Sequence, residues 1–262
     1  MTAVGALLVF GIALGALVAP ALSPYDGATQ DLALRLAGPS WAHPLGLDEL
    51  GRDVLTRLAL GARVSLLVGL TVVSISASVG LFLGTLAGYW GGVVDDVLGR
   101  VIDVLLAFPG ILLAIALVAV LGPDLRNVVI ALAAIGWVGY ARLVRGQVLK
   151  IRELEYVQAA RATGASLART LVAHVVPATL PALVVQATLG TAAAIVAEAS
   201  LSFLGLGVQP PTPSWGVMLD AGRSHLIDAP HLTVFPGTAI ATLVMGLNFL
   251  GDGLRDRLDP KR

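Results

Sequence analysis

The chain has 262 residues, of which 56% are hydrophobic and 13% charged, against about 25% charged in an ordinary soluble domain, and its mean hydropathy is +0.87. That composition excludes a conventional soluble globule and points to an integral membrane protein. The 17 basic and 17 acidic residues cancel, giving no footing for a nucleic-acid partner, and the absence of cysteine rules out disulfides, thiol catalysis and thiolate metal sites.

A helix rising about 1.5 Å per residue crosses about 30 Å of hydrocarbon in about 20 residues. Uncharged runs of that order occur at 3–22, 64–89, 104–121, 128–140, 175–197 and 232–250. The fourth is short, and extends to 127–144 if Arg142 snorkels toward the headgroups. The runs are continuous rather than alternating, so a closed β-barrel does not fit. The expected fold is all-α: one polytopic domain with six transmembrane helices.

In the first run, Ala19-Pro20-Ala21 mimics a signal-peptidase site, but the run exceeds a typical signal core and no basic segment precedes it. It reads as a retained span, and the lack of basic residues before Ala3 points to a short cytoplasmic tail ahead of Met1. Asp48, Glu49, Arg52, Asp53 and Arg57 then alternate in sign, and read as a short, solvated, self-neutralised helix at the outer surface. Gly80, Gly84 and Gly88 share one face of the second run and mark close helix packing.

Basic residues resist translocation. With the N-terminus inside, the cytoplasmic segments hold Arg100, Arg142, Arg145, Lys150, Arg152, Arg161, Arg169, Arg255, Arg257, Lys261 and Arg262, and the outer side holds Arg35, Arg52, Arg57, Arg63, Arg126 and Arg223. This bias places both termini and the 142–174 loop in the cytoplasm.

That loop carries a polar island from Glu155 to Pro177 between two spans. Leu154, Val157, Ala160 and Arg161 fall on one helical face, Gly164 interrupts, and Leu167, Leu171 and Val175 resume the period. The pattern predicts a helix, a glycine turn and a second helix, with Gly164 at positive φ and Ser166 as the second N-cap. Pro177 is expected to end or kink the chain as it re-enters the bilayer. Such a knob is stiff enough to carry force from a partner to the flanking spans.

Further on, Glu198 lies at the outer end of the fifth run, either at the interface or facing a cavity. Pro210, Pro211 and Pro213 stiffen the loop that follows, and Trp215 suits an interfacial anchor. His43, His225 and His231 match no compact metal spacing. The span centres carry no charge and the halves show no repeat, which argues against a secondary transporter. H-E-x-x-H and G-x-S-x-G are both absent, which argues against a hydrolase. A passive channel would differ in needing no ATP.

Gln158-Ala159-Ala160, Gly164 and His174-Val175-Val176-Pro177 resemble the EAA loop of binding-protein-dependent ABC importer permeases: E-A-A, three residues, Gly, nine residues, I-x-L-P. Gln158 stands where that pattern has an acid, and His174 where it has an aliphatic residue. The segments His43 to Arg57 and Glu198 to Gly216, with Gly251-Asp252-Gly253-Leu254-Arg255-Asp256, are similar to the "C"-type subunit of the oligopeptide, dipeptide and nickel permease subfamily. The resemblance implies a type I ABC importer permease fold in the bacterial cytoplasmic membrane. It implies as partners a homologous second permease, two ATPase subunits or domains and an external solute-binding protein, with the second permease a candidate partner for the Gly80, Gly84 and Gly88 face. ATP and Mg2+ would be bound by the ATPases, and no cofactor or metal by this chain, which has no G-x-x-x-x-G-K-[ST] phosphate loop. Glu155, Tyr156, Val157, Gln158, Ala159, Ala160, Arg161, Gly164, Ala165 and Pro177 would form the ATPase-coupling loop. Glu198, Ser202 and Trp215 would be candidates for the pore or outer gate. Dipeptides or oligopeptides are the first-choice cargo, and nickel or a nickel chelate the alternative.

Overall fold

A computed structural model describes residues 1–258; Lys261 and Arg262, counted above among the cytoplasmic cations, lie outside the described residues. Helix α1 spans Thr2–Leu22 and leads into an irregular segment that returns to Asp53. In that segment Asp26 accepts the N–H groups of Thr29 (2.7 Å) and Ala28 (2.8 Å), which holds its carboxyl below the ordinary carboxylate range. Asp53 then caps α2 (Val54–Trp90) by accepting the Thr56 N–H at 2.8 Å. With 37 residues, α2 is about 55 Å long, well beyond about 30 Å of hydrocarbon. Its first turns therefore rise out of the bilayer.

Gly91 and Gly92, at φ of 66° and 55°, turn the chain into α3 (Gly92–Leu106), which meets α4 (Gly110–Leu121) at 84°. The span expected over 104–121 thus contains a sharp bend. Pro109 has no N–H to donate and forces Phe108 away from helical angles. The 12 residues of α4 reach only about 18 Å, short of about 30 Å of hydrocarbon. Among the described residues, five helices are long and apolar enough to span, and six when the bent pair counts as one.

Asp124 opens α5 (Leu125–Ile151) by accepting the Arg126 N–H at 2.7 Å. This helix runs through Arg142, Arg145 and Lys150, so the segment expected to leave it at 142 leaves at 152 instead. There follow α6 (Glu155–Ala162), α7 (Leu167–Thr170), a π turn at Leu171–Val175 and α8 (Val176–Phe203). Pro177 does not end the helix: it sits in the first turn of α8, where a missing N–H is tolerated, directly after the π turn. Helices α9 (Trp215–Gly222) and α10 (His231–Leu258) complete the chain.

The most extensive helix pairing is between α2 and α5, and glycine makes it. A Cβ on Gly84 would lie 2.5 Å from the Ala141 carbonyl oxygen and 2.9 Å from Val144 Cβ, and one on Gly88 would lie 2.9 Å from the Arg145 carbonyl oxygen. The Gly80, Gly84 and Gly88 face therefore packs on α5 of this chain, not on a second subunit. Helix α1 is held against α10 by a similar approach of Gly5 to Gly246 and Leu250. It is tied to α2 by Arg63, whose Nε donates to the Ala16 carbonyl at 2.6 Å. These contacts gather the ends of α2, α5 and α10 and the start of α1 at one end of the bundle, which also carries α6 and α7.

Replacing Gly84 with Leu is expected to cost about 1–3 kcal/mol through overpacking against backbone. This should appear as a fall of several degrees in apparent melting temperature in detergent, with Gly99→Ala, which meets nothing within 4 Å, as the neutral control. Equal melting of the two variants would contradict the α2–α5 contact.

Candidate functional site

The polar island folds as a knob. Helix α6 ends in a left-handed glycine turn: the Ala165 N–H donates to the Ala160 carbonyl and the Gly164 N–H to the Arg161 carbonyl, both at 3.0 Å, with Gly164 at φ 87°. That paired bonding satisfies the last carbonyls of α6 and needs a residue free to adopt positive φ. Ser166 then accepts the Arg169 N–H at 3.3 Å and starts α7. Thr163 Oγ1 donates to the Ala159 and Ala160 carbonyls at 3.0 Å, tightening the same turn.

Three attachments fix the knob to the bundle. Val157 is wholly buried among Val144, Val148, Ile151 and Val175 and is the keel of α6. Arg152 Nη1 donates to the carbonyls of Gly88 (2.9 Å) and Tyr89 (3.3 Å), placing a cation on the negative end of α2. The Arg161 guanidinium lies 5.9 Å from the Tyr89 ring centroid. Tyr156 meets His174 edge to face at 6.2 Å, so His174 fills its place as an aromatic brace rather than an aliphatic one. Gln158 turns its amide back to the Glu153 carbonyl at 3.3 Å.

The remaining surface is open. Glu155, Tyr156, Gln158, Ala159, Arg161 and Gly164 are exposed, nothing lies within 4 Å of a Cβ built on Gly164, and Leu154, Leu167 and Val172 add exposed apolar area. Ala160 and Ala165 are half-buried, Pro177 is exposed, and Val157 faces inward. A mixed apolar and charged surface on a braced turn is suited to seat in a protein cleft.

The residues expected at the pore or outer gate lie at the opposite end and are all buried. Glu198 accepts the hydroxyls of Ser202 (2.7 Å) and Ser65 (3.3 Å), joining α8 to α2. Glu198 is therefore neither at the interface nor open to a cavity; it is enclosed in helix packing at 0% exposure. Trp215 is 1% exposed, and its Nε1–H donates to the Leu58 carbonyl at 2.9 Å. It is a buried wedge between α9 and α2 rather than a membrane anchor.

The charged segment before α2 also differs from the expected solvated helix. It is a turn closed by a bridge between Leu47 and Asp53, and Asp48, Arg52, Asp53 and Arg57 are all buried. Arg52 Nε donates to Asp48 at 2.7 Å, Arg57 Nε lies 3.4 Å from the same carboxylate, and Arg57 Nη1 donates to the Gly27 carbonyl at 2.9 Å. His43 is stacked on Tyr25 and lies 3.0 Å from Asp53, and His231 lies 3.2 Å from the Leu47 carbonyl. His43 and His231 thus hold the loop in place. Among the described residues no group of three or more candidate ligands could hold a metal.

Residues 80–262 match the family described as binding-protein-dependent transport system inner membrane component. The chain is 45% identical to a dipeptide transport system permease protein of Alkalihalophilus pseudofirmus, over 98% of this chain and 85% of the relative. It is 47% identical to glutathione transport system permease proteins of Pectobacterium atrosepticum, over 92% of this chain and 80% of the relative, and of Shigella dysenteriae, over 100% and 86%. With most of its length matched, this chain belongs to the family of inner membrane components of binding-protein-dependent transport systems.

Proposed function

We propose that the chain is a permease subunit of an ABC importer for short peptides, and that its knob converts closure of partner ATPases into alternating access. The observation that carries this reading is the knob itself: a braced helix–glycine–helix, exposed on its outer face and attached at once to α2, α5 and α8. A push on α6 passes through Val157 into the valines of α5 and through Arg152 into the end of α2. The same displacement then reaches the opposite end through Ser65 and Leu58, which hold Glu198 and Trp215. Motion at one face is thereby linked to repacking at the other, as alternating access requires.

The assembly implied is this permease, a homologous second permease, two ATPase subunits or domains that hold ATP and Mg2+, and an external solute-binding protein. The knob faces the cytoplasm of a bacterial cell, along with both termini. Dipeptide and glutathione permeases are both small-peptide systems by name, which supports peptides as cargo over nickel.

Two substitutions at one position test the coupling. Gly164→Trp is expected to leave the chain in the membrane but lower dipeptide uptake by about tenfold or more, because bulk is placed on the docking face. Gly164→Asn should keep uptake within about twofold, since Asn tolerates positive φ. Undiminished uptake with Trp would remove the knob from coupling. Orientation is checked with Thr163→Cys and a membrane-impermeant maleimide. Labelling is expected in inside-out vesicles and not in right-side-out ones; the reverse pattern would overturn the assigned topology.

A further inference from the structure

At the end opposite the knob, a cavity of about 460 Å3 opens between the charged turn before α2, the 210–212 loop and α9. Its inner wall holds Asp48, Arg52 and Arg57, and the side chains of the two arginines are only 9% and 5% exposed. Both guanidiniums lean on the one Asp48 carboxylate, so these three side chains carry one more cation than anion. Asp53 does not make up the difference, since it is spent on His43 and on the cap of α2. A buried cation in excess is unfavourable until an anion reaches it.

The donors of the two arginines are not used up. Among the described residues the Arg52 side chain bonds through Nε to Asp48, and that of Arg57 through Nε to Asp48 and through Nη1 to the Gly27 carbonyl. The other Nη groups of both forks are left without a protein partner. They are not sealed in packing, as the partnerless hydroxyls of Ser76, Thr85 and Tyr140 are, and so keep surface on the cavity. Free N–H groups of planar forks at the floor of a cavity match a carboxylate. Toward solvent the sign reverses: Glu49 and Asp220 line the same cavity with side chains 39% and 37% exposed. That arrangement refuses a metal ion at its floor and disfavours a dianion at its mouth. It suits a ligand with a carboxylate at one end and an ammonium at the other, and the volume lies within the range of ligand pockets, about 300 to 1,000 Å3.

Resting on the peptide-import reading for the identity of the ligand, we infer that this outer cavity binds a short free peptide, its C-terminal carboxylate on Arg52 and Arg57 and its ammonium toward Glu49 and Asp220. The site stands at the outer ends of the helices, apart from their middles. Its walls belong to the start of α2 and to α9, the two elements that Trp215 already joins, so an occupied cavity ties them further. The test uses the transporter assembled with a cysteine-free second permease and ATPases in phosphatidylcholine proteoliposomes, without the binding protein. Ser224→Cys puts one thiol on the cavity wall of a chain that has none, and a membrane-impermeant maleimide on the outer side reads its labelling rate. Saturating Ala-Ala is expected to slow labelling about fivefold or more, and Ala-Ala amide, which has no carboxylate, to leave it within about twofold. Arg52→Lys, which keeps the charge and loses the fork, should raise the Ala-Ala concentration needed about tenfold. If that variant fails to assemble, Ala221→Leu fills the cavity without altering a charge and should abolish protection. Equal protection by peptide and amide would overturn the carboxylate contact. Labelling that follows added phosphatidylethanolamine instead of peptide would assign the cavity to a lipid headgroup, and protection that needs the binding protein would assign it to a protein contact; either would overturn the site. Uptake of Ala-Ala by the unmodified transporter with its binding protein, but no protection, would overturn the site alone. Protection without uptake would overturn the import reading and leave the site standing.

Discussion

The close approach of α2 to α5 is the constraint on which the rest of the structure depends. Three glycines on α2 let the α5 backbone come within van der Waals contact along several turns, which in lipid is the main source of helix association. Because α5 ends in the knob and α2 ends under Arg152, the seam makes the knob, both helix ends and the valine cluster one mechanical body. Were the seam loose, a push on α6 would be absorbed before reaching the far side. The same rod carries Leu58 and Ser65, which bond Trp215 and Glu198 at the end opposite the knob.

The two ends of the molecule are built on different physics. At the knob, a glycine turn, a serine cap and a threonine brace fix a local shape whose outer surface is free. At the opposite end, a carboxylate, an indole and an ion cluster are enclosed, each bonded to at least one partner distant in sequence. Burial raises the strength of those polar contacts and the cost of breaking them. The first end is therefore suited to meet another protein, and the second to hold one arrangement.

What could be read from the sequence was what short-range chemistry decides. The knob's helix, turn and helix were legible because Gly164, Ser166 and the 3.6-residue period are local signals, and five of six spans because apolar length is local too. The bend in the third span is not legible in hydropathy, which passes over Pro109 without registering the lost N–H. The start of the knob lies later than the charges suggest, because α5 runs on through Arg142, Arg145 and Lys150. Trp215 and the Asp48–Arg57 cluster were misplaced for another reason. Their burial depends on partners that only the tertiary fold brings close: Leu58 is 157 residues from Trp215, and Gly27 is 30 residues from Arg57. The role of Arg152 as a cap on α2 was hidden in the same way, inside a basic cluster that orientation alone seemed to explain.

The central claim is that the exposed face of α6 seats in a partner ATPase. The most direct measurement places a single cysteine at Ala159, in a chain that has none of its own, and scans single cysteines across the membrane-facing surface of a cysteine-free ATPase, using a short crosslinker in the assembled complex. The account predicts a crosslinked permease–ATPase band from a contiguous patch of that surface, changing in yield between nucleotide-free and ATP-bound states. A fully transport-competent complex that forms no such band at any scanned position would contradict it.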